Sequence, residues 1–126
     1  DLSSKNIQIE EFINHISQSY IWADLVICRS GALTISELIS SKSVGILVPL
    51  KNSIDNHQME NASYLREKNA SWILQESEEF SLNLFNLLKD ILEKKEIVDE
   101  KKVNLEKIKI KPSEQIIFKE VNAWYE

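Results

Sequence analysis

The sequence predicts an α/β fold in which a parallel sheet is flanked by helices. Short apolar runs alternate along the chain with segments whose apolar residues recur at helical spacing, and this alternation is typical of β-α units built into a parallel sheet. Hydrophobic residues make up 43% and charged residues 28% of the 126 residues, which is ordinary for a folded globular domain. A chain of this length fits one domain with a real core.

The composition also argues against several classes of function. The formal net charge of -5 supplies no basic surface for a phosphate backbone, so nucleic acid is not an expected partner. Cys28 is alone, which excludes an intrachain disulfide and a cysteine-based metal site. No apolar run approaches the ~18 residues of a membrane span. We therefore expect a soluble or peripheral protein.

The first residues of the sequence resemble a polar connection between segments and not a natural N-terminus. The sequence does not start with Met, and residues 1–5 are mostly polar. We therefore expect a fragment. Residues 7–9 suggest a short strand, and a following helix would present one apolar face formed by Phe12, Ile13, Ile16 and Tyr20.

The β-α pattern then repeats. Residues 25–28 predict a buried strand, and residues 45–48 predict a second one, which Pro49 ends. Between them, the helix after Gly31 has core spacing at Ile35, Leu38 and Ile39.

The second half of the chain continues the alternation. We predict a helix over residues 56–68, a third strand over 72–74 and a strongly periodic helix over 80–93. Residues 93–111 are charge-dense and predict a frayed helix end with a solvated connection. A last helix would begin near Pro112 and carry an apolar stripe. Core packing is the expected role of Trp22, Trp72 and Trp124.

The loops after the predicted strands are the places to look for a ligand site, because open parallel sheets bind ligands beyond the carboxyl ends of their strands. A small glycine-containing turn that opens a helix presents free N–H groups and the positive end of the helix dipole to an anion. Thr34 can donate to a phosphate, and Glu37, on the same face, can accept from sugar hydroxyls. The first loop and the start of its helix consist of Arg29, Ser30, Gly31, Ala32, Leu33 and Thr34.

The same residues fit a simpler interpretation. Ser30 could cap the helix and Glu37 could be a solvated acid, as at many helix starts. Arg29 could pair with a phosphate or with a structural acid. The spacing alone leaves these alternatives open.

The second loop, residues 49–58, is long for a strand-to-helix connection. The side chains of His57 and Gln58 suit the hydroxyl and acetamide groups of a sugar. Asp55 and Gln58 also have the spacing of a capping-box variant, which is the favoured role for Asp55. Asn61 either braces this loop or is exposed. Neither His15 nor His57 is accompanied by a carboxylate or cysteine cluster, which argues against a metal site.

Residues 20–34, Glu37, His57-Gln58 and Asn61-Ala62 together closely resemble the MurG family of bacterial UDP-N-acetylglucosamine transferases, which convert lipid I to lipid II in peptidoglycan synthesis. The similarity extends from about residue 7 to residue 75 and more loosely to the end, and it is specific over residues 29–37. The family has a GT-B fold of two Rossmann-like domains, and its C-terminal domain holds the donor UDP-N-acetylglucosamine.

The resemblance implies that residues 1–111 form a truncated, partial Rossmann-like donor domain and that residues 112–126 form a helix that crosses to an absent N-terminal domain. The turn from Ser30 to Thr34 would face the diphosphate, and Glu37 would bind the ribose. Gln58, with His57, would contact the N-acetylglucosamine. Arg29 and Asn61 complete the implied substrate-binding set.

The resemblance also implies an inverting transfer to the 4-hydroxyl of the lipid-linked muramyl acceptor, without a metal or another cofactor. The catalytic residues are expected in the absent N-terminal domain and the cleft between the domains. That domain would also supply the lipid I site and peripheral attachment to the cytoplasmic face of the bacterial inner membrane.

The chain departs from the family at three positions that shape turns. It has Lys42 and Val44 where the family usually has Gly and Pro, and Asn69 where the family usually has Gly. Asn tolerates left-handed backbone geometry, whereas Lys42 is expected to weaken its turn.

The sequence is compatible with two functions. The first is the donor half of a lipid I N-acetylglucosaminyltransferase, inactive alone. The alternative is a non-catalytic nucleotide-binding or interaction module, either a degenerate remnant or one subunit of a split transferase. A receiver-like domain is disfavoured, because its paired acids at strand ends are not visible. An unpaired sheet edge and an exposed apolar stripe would favour self-association of a fragment.

Overall fold

The computed structural model describes residues 6–51 and 57–109. Their elements follow in the order Ile16–Trp22 (α1), Val26–Cys28 (β1), Ala32–Ser41 (α2), Gly45–Leu47 (β2), His57–Glu67 (α3), Ser71–Ile73 (β3), Phe80–Glu93 (α4) and Glu96–Glu106 (α5). The predicted α/β alternation is confirmed, and each predicted strand from 25 onward lies within one residue of the observed one. Of the suggested strand at residues 7–9, only Ile7 forms an isolated bridge.

The three strands form a parallel sheet in the order β1-β2-β3. Cys28 pairs with Leu47, and Leu47 pairs with Ile73, so all three carboxyl ends meet at one edge. The central strand is wholly buried, as a parallel strand covered on both faces should be. The buried apolar cluster around it consists of Tyr20, Ile35, Leu38, Val44, Leu47, Ala62, Leu65, Ala70 and Leu105.

Two helices end in the same left-handed turn, and neither uses glycine. After α2, Lys42 has φ 56°, and Ser43 N–H donates to Leu38 O at 2.9 Å. After α3, Asn69 has φ 54°, and Ala70 N–H donates to Leu65 O at 3.0 Å. Both are Schellman-type ends, which favour glycine at the left-handed residue. The two turns coincide with positions at which the chain lacks the usual glycine of its family resemblance.

The prediction for the first helix was partly wrong. Only its second half, α1, is helical, and Tyr20 and Ser17 are its buried residues. Phe12 is 61% exposed and Ile13 is 41% exposed, so neither packs in the core. Trp22 is also not a core residue, because it is 85% exposed at the end of α1. Of the predicted apolar stripe, Tyr20 lies in the core and Ile16 packs against it, whereas Phe12 and Ile13 precede the helix and stay exposed.

The prediction of a solvated connection over residues 93–111 was wrong for its described part. Residues 96–106 form α5, and Leu105 is 1% exposed. Lys101 is buried, and its Nζ lies 2.9 Å from Asn69 Oδ1 and 4.5 Å from the ring centroid of Trp72. Asn104 Nδ2 donates to Asn69 O at 2.9 Å. These contacts fasten α5 to the turn that precedes β3.

The last predicted helix, with Ile117, Val121 and Trp124, lies outside the described residues, so its crossing to another domain stays a prediction. Within the described ranges, no helix is both long enough and apolar enough to span a bilayer.

The two left-handed residues give a matched pair of stability predictions. We expect Lys42→Gly to raise the free energy of unfolding by about 0.5–1 kcal/mol, because relief of left-handed strain exceeds the added entropy of the unfolded chain. Asn69→Gly should lower it by about 1 kcal/mol, because it also removes the hydrogen bond that the Asn69 side chain accepts from Lys101 and the one that it donates to Glu100. Urea unfolding monitored by circular dichroism measures both. Destabilisation by Lys42→Gly would contradict the strain argument.

Candidate functional site

The carboxyl edge of the sheet brings the two predicted ligand loops into direct contact. Ser30 follows β1 and is 0% exposed. Its Oγ donates to the carbonyl of Gln58 at 2.7 Å, and its own carbonyl accepts from Asn61 Nδ2 at 3.0 Å. Two hydrogen bonds therefore join the turn after β1 to the first turns of α3. Asn61 was expected to brace the loop of residues 49–58 or to be exposed, and it instead braces the Ser30 turn.

The turn ends at Gly31, which is the N-cap of α2 and has no side-chain capping bond. The suggestion that Ser30 caps this helix is wrong, because its hydroxyl bonds to α3 instead. The N–H of Ile35 donates to Gly31 O at 3.0 Å. The N–H groups of Ala32, Leu33 and Thr34 lie in the first turn of α2, where no carbonyl of the same helix can accept from them. The start of α2 therefore offers these N–H groups as donors.

Gly31 is not required by the packing of the protein itself. A Cβ built on it meets no atom within 4 Å, and its φ of -63° is open to any residue. Gly45 differs, because its Cβ would lie 3.2 Å from Leu47 Cδ2 and 3.3 Å from Leu38 Cδ1. The space beside Gly31 therefore lies open at the carboxyl edge, at the point where the predicted anion would bind.

Glu37 is a buried acid and not the solvated one that the simpler interpretation proposed. It is 7% exposed on α2. Burial raises the pKa of the Glu37 carboxyl, and a hydrogen bond with the Tyr20 side chain acts in the opposite direction. Ser43 Oγ donates to Tyr20 O at 2.7 Å, which ties α1 to the end of α2. A carboxylate kept partly desolvated is a strong acceptor for a hydroxyl that reaches it.

The first side chains of α3, those of His57 and Gln58, differ in their hydrogen bonding and exposure. Gln58 Oε1 accepts from the N–H of Leu50 at 2.7 Å, which holds the loop after β2 and leaves the amide nitrogen as a donor. His57 is exposed, and its Nδ1 lies 3.1 Å from Glu60 Oε2. Asp55, the proposed cap, lies outside the described residues.

Arg29 pairs with an acid that the sequence analysis did not single out. Its Nη2 lies 2.8 Å from Glu76 Oε1, and its Nη1 lies 3.5 Å from Val48 O. Glu76 follows β3, forty-seven positions away along the chain. No local spacing links the two residues. Only the parallel strand order could have indicated that the loops after β1 and β3 share an edge.

Tyr20 is the second contributor that the sequence analysis missed, because its place in an apolar stripe favoured a purely packing role. Among the described residues, no group of three or more His, Cys, Asp or Glu side chains could hold a metal ion. The substrate-binding roles of the ten predicted residues stay predictions, although the structure places all of them on the turn after β1, on α2 or on α3.

This parallel α/β domain has the architecture of the C-terminal half of a two-domain glycosyltransferase. The chain belongs to the glycosyltransferase family 28 C-terminal domain, whose family model matches residues 1–116.

Its similarity to particular proteins is more specific. The chain is 44% identical over 85 residues, or 68% of its length, to the UDP-N-acetylglucosamine--N-acetylmuramyl-(pentapeptide) pyrophosphoryl-undecaprenol N-acetylglucosamine transferase of Pseudomonas putida. It is 36% identical over 102 residues, or 81% of its length, to the protein of the same name from Pseudoalteromonas translucida. The matches span 24% and 28% of those relatives, so the chain corresponds to about a quarter of their length.

A solved structure agrees. The crystal structure of MurG from Acinetobacter baumannii matches with a TM-score of 0.72 and 28% identity, covering 92% of this chain and 33% of that one. The resemblance to the C-terminal part of the MurG family, and the GT-B fold class that it implied, are confirmed.

Cys28, at the end of β1, reports on the charge of Glu37. Burial raises the pKa of the Cys28 thiol from 9.0 to about 11, and the nearby Glu37 carboxylate contributes to the rise. Because the thiolate is the reactive form, we expect alkylation by iodoacetamide at pH 8 to be about 100-fold slower in the folded chain than in urea, since two pKa units change the thiolate fraction about 100-fold.

Glu37→Gln should speed this reaction, because it removes the negative charge that disfavours the thiolate. Glu67→Gln, an equal charge change at the far end of α3, should not. Equal rates in the two variants would show that Glu37 does not act on Cys28.

Proposed function

We propose that this chain is the donor-binding half of a glycosyltransferase and that its ligand is UDP-N-acetylglucosamine. The observation that carries the proposal is the turn at Gly31, whose free amides open α2, with the buried Glu37 on the same helix. The names of the relatives supply the donor class, because those proteins are N-acetylglucosamine transferases.

Each group has a role that its chemistry supports. The amides after Gly31 and the positive end of α2 would bind the diphosphate. Glu37 would accept from the ribose hydroxyls. The amide nitrogen of Gln58 would donate to the N-acetylglucosamine, with His57 exposed beside it. Ser30 is buried with its hydroxyl engaged, so its contribution would come from the backbone and from holding the turn.

This half-site alone should bind weakly. A helix N-terminus contributes about 0.3–2 kcal/mol for an anion, whereas micromolar affinity requires about 8 kcal/mol. Glu37 and Gln58 would supply part of the difference, and most of the remainder would come from groups outside the chain, which spans about a quarter of the length of its relatives. We therefore expect millimolar donor binding and no turnover by the chain alone.

The names of the relatives support a proposal for the activity of the whole protein. It would transfer N-acetylglucosamine from the donor to lipid I and so produce lipid II for peptidoglycan. The acceptor and the cytoplasmic membrane surface would be contacted by the other domain, and the protein would be peripheral to the membrane.

A titration with UDP-N-acetylglucosamine, followed by amide chemical shifts in NMR spectra, tests donor binding. We expect shifts to cluster at residues 30–37 and at Gln58, with a Kd in the millimolar range. UDP alone should move the turn and Glu37 but leave Gln58 unchanged, because it lacks the N-acetylglucosamine. Glu37→Ala should weaken binding of both ligands at least severalfold.

Gly31→Ala tests phosphate binding at the turn more directly than Glu37→Ala does. Its effect on stability should stay within about 0.5 kcal/mol, because the loss of unfolded-state entropy offsets the poorer cap. Its methyl group would occupy the space proposed for the phosphate, so the Kd should rise at least tenfold. Gly45→Ala, which is crowded by the core, should instead lower stability. Wild-type affinity in a folded Gly31→Ala chain would contradict phosphate binding at this turn.

The alternative is a non-catalytic nucleotide-binding or interaction module. The two proposals differ when the N-terminal domain of a relative is supplied in trans. A donor half-site should restore transfer from UDP-N-acetylglucosamine to a lipid I analogue, and the Glu37→Ala chain should restore much less. A module that has lost catalysis should restore nothing, although the titration could still detect binding.

A further inference from the structure

At the carboxyl edge of the sheet, an ion pair between Arg29 and Glu76 connects the loops after β1 and β3 and passes the end of β2. Arg29 follows β1, and its guanidinium reaches across the end of β2 to bond Val48 O at 3.5 Å. Its other nitrogen bonds Glu76, beyond β3, at 2.8 Å. The guanidinium is thus held along the edge at which the ligand turn, residues 30–34, also lies.

This pair is accessible and inexpensive to separate. The Arg29 and Glu76 side chains are 47% and 40% exposed, and exposed ion pairs contribute little to stability because water and salt compete for both partners. The hydrogen bond from Arg29 lowers the pKa of the Glu76 carboxyl, and the nearby charge of Lys51 adds to this effect. Glu76 is therefore a fixed negative charge beside the ligand turn.

We propose that Glu76 and the diphosphate of a bound nucleotide compete for the Arg29 guanidinium. This inference rests on the proposed function, because it places the diphosphate at the turn that Arg29 directly precedes. A guanidinium can donate two parallel hydrogen bonds to two phosphate oxygens. This bidentate pairing is stronger than the single bond that Arg29 makes to one exposed carboxylate oxygen of Glu76. Glu76 then acts as a counter-ion that holds Arg29 in the free protein and opposes anionic ligands until the exchange occurs.

The exchange predicts that removal of the Glu76 charge strengthens binding. Glu76→Gln keeps the shape of the side chain, leaves Arg29 at most a neutral hydrogen bond at this position and removes one negative charge from the edge. We expect UDP to bind about two- to fivefold more tightly, which corresponds to about 0.4–1 kcal/mol. Binding of uridine, which has no phosphate, should not change.

Two further variants separate this effect from a general change of charge. Glu78→Gln removes an equal charge from an exposed position in the same loop and should leave UDP affinity unchanged. Arg29→Gln should weaken UDP binding, and in the Arg29→Gln background the Glu76→Gln change should lose most of its effect. Such non-additivity is the signature of a shared partner.

The test is an amide-shift titration of the 126-residue chain and its variants with UDP and with uridine. Tighter UDP binding in Glu76→Gln alone, absent in the Arg29→Gln background, supports the exchange. If Glu76→Gln binds UDP as Glu78→Gln does, or more weakly, the exchange is overturned while the proposed function stands. If UDP moves no amide at residues 30–37 in any variant, donor binding is itself refuted, and the exchange with it.

Discussion

The pair of hydrogen bonds between Ser30 and the start of α3 is the contact on which the site depends. Ser30 is fully buried, so each bond replaces water that cannot reach the turn. Loss of either bond would leave a buried polar group unsatisfied and weaken the attachment of the turn to α3. The relative placement of the anion turn and of Gln58 therefore follows from one small residue, and a serine fits because a larger side chain would separate α3 from the sheet.

The buried Glu37 costs folding stability, whereas the buried Ser30 contributes to it. A buried carboxyl is disfavoured in its charged form, and the raised pKa of Glu37 expresses that cost. The Tyr20 side chain offsets part of it, and Ser43 in turn fixes the Tyr20 backbone. An acid held in this way carries little hydration to lose when a ligand hydroxyl reaches it, which suits the ribose-binding role that we propose.

The domain also illustrates how missing glycines can be compensated. Asn69 occupies a left-handed turn and uses its side chain and carbonyl to bind α5, through Lys101 and Asn104. Lys42 occupies the equivalent turn after α2 without such contacts among the described residues. The left-handed backbone at Asn69 is therefore stabilised by contacts with α5, whereas the left-handed backbone at Lys42 has no such contacts among the described residues.

The order of strands and helices from residue 25 to residue 93, and the turn at Gly31, were determined by the sequence itself, because apolar periodicity and turn residues act over a few neighbouring positions. Tertiary structure decided the rest. α5 was missed because its inward positions, 98, 101 and 105, include a lysine, which becomes a packing residue only when Trp72 and Asn69 lie beneath it. Sequence spacing likewise could not predict the burial of Glu37, the exposure of Trp22 or the partner of Arg29. Each depends on which distant segments the parallel sheet brings together.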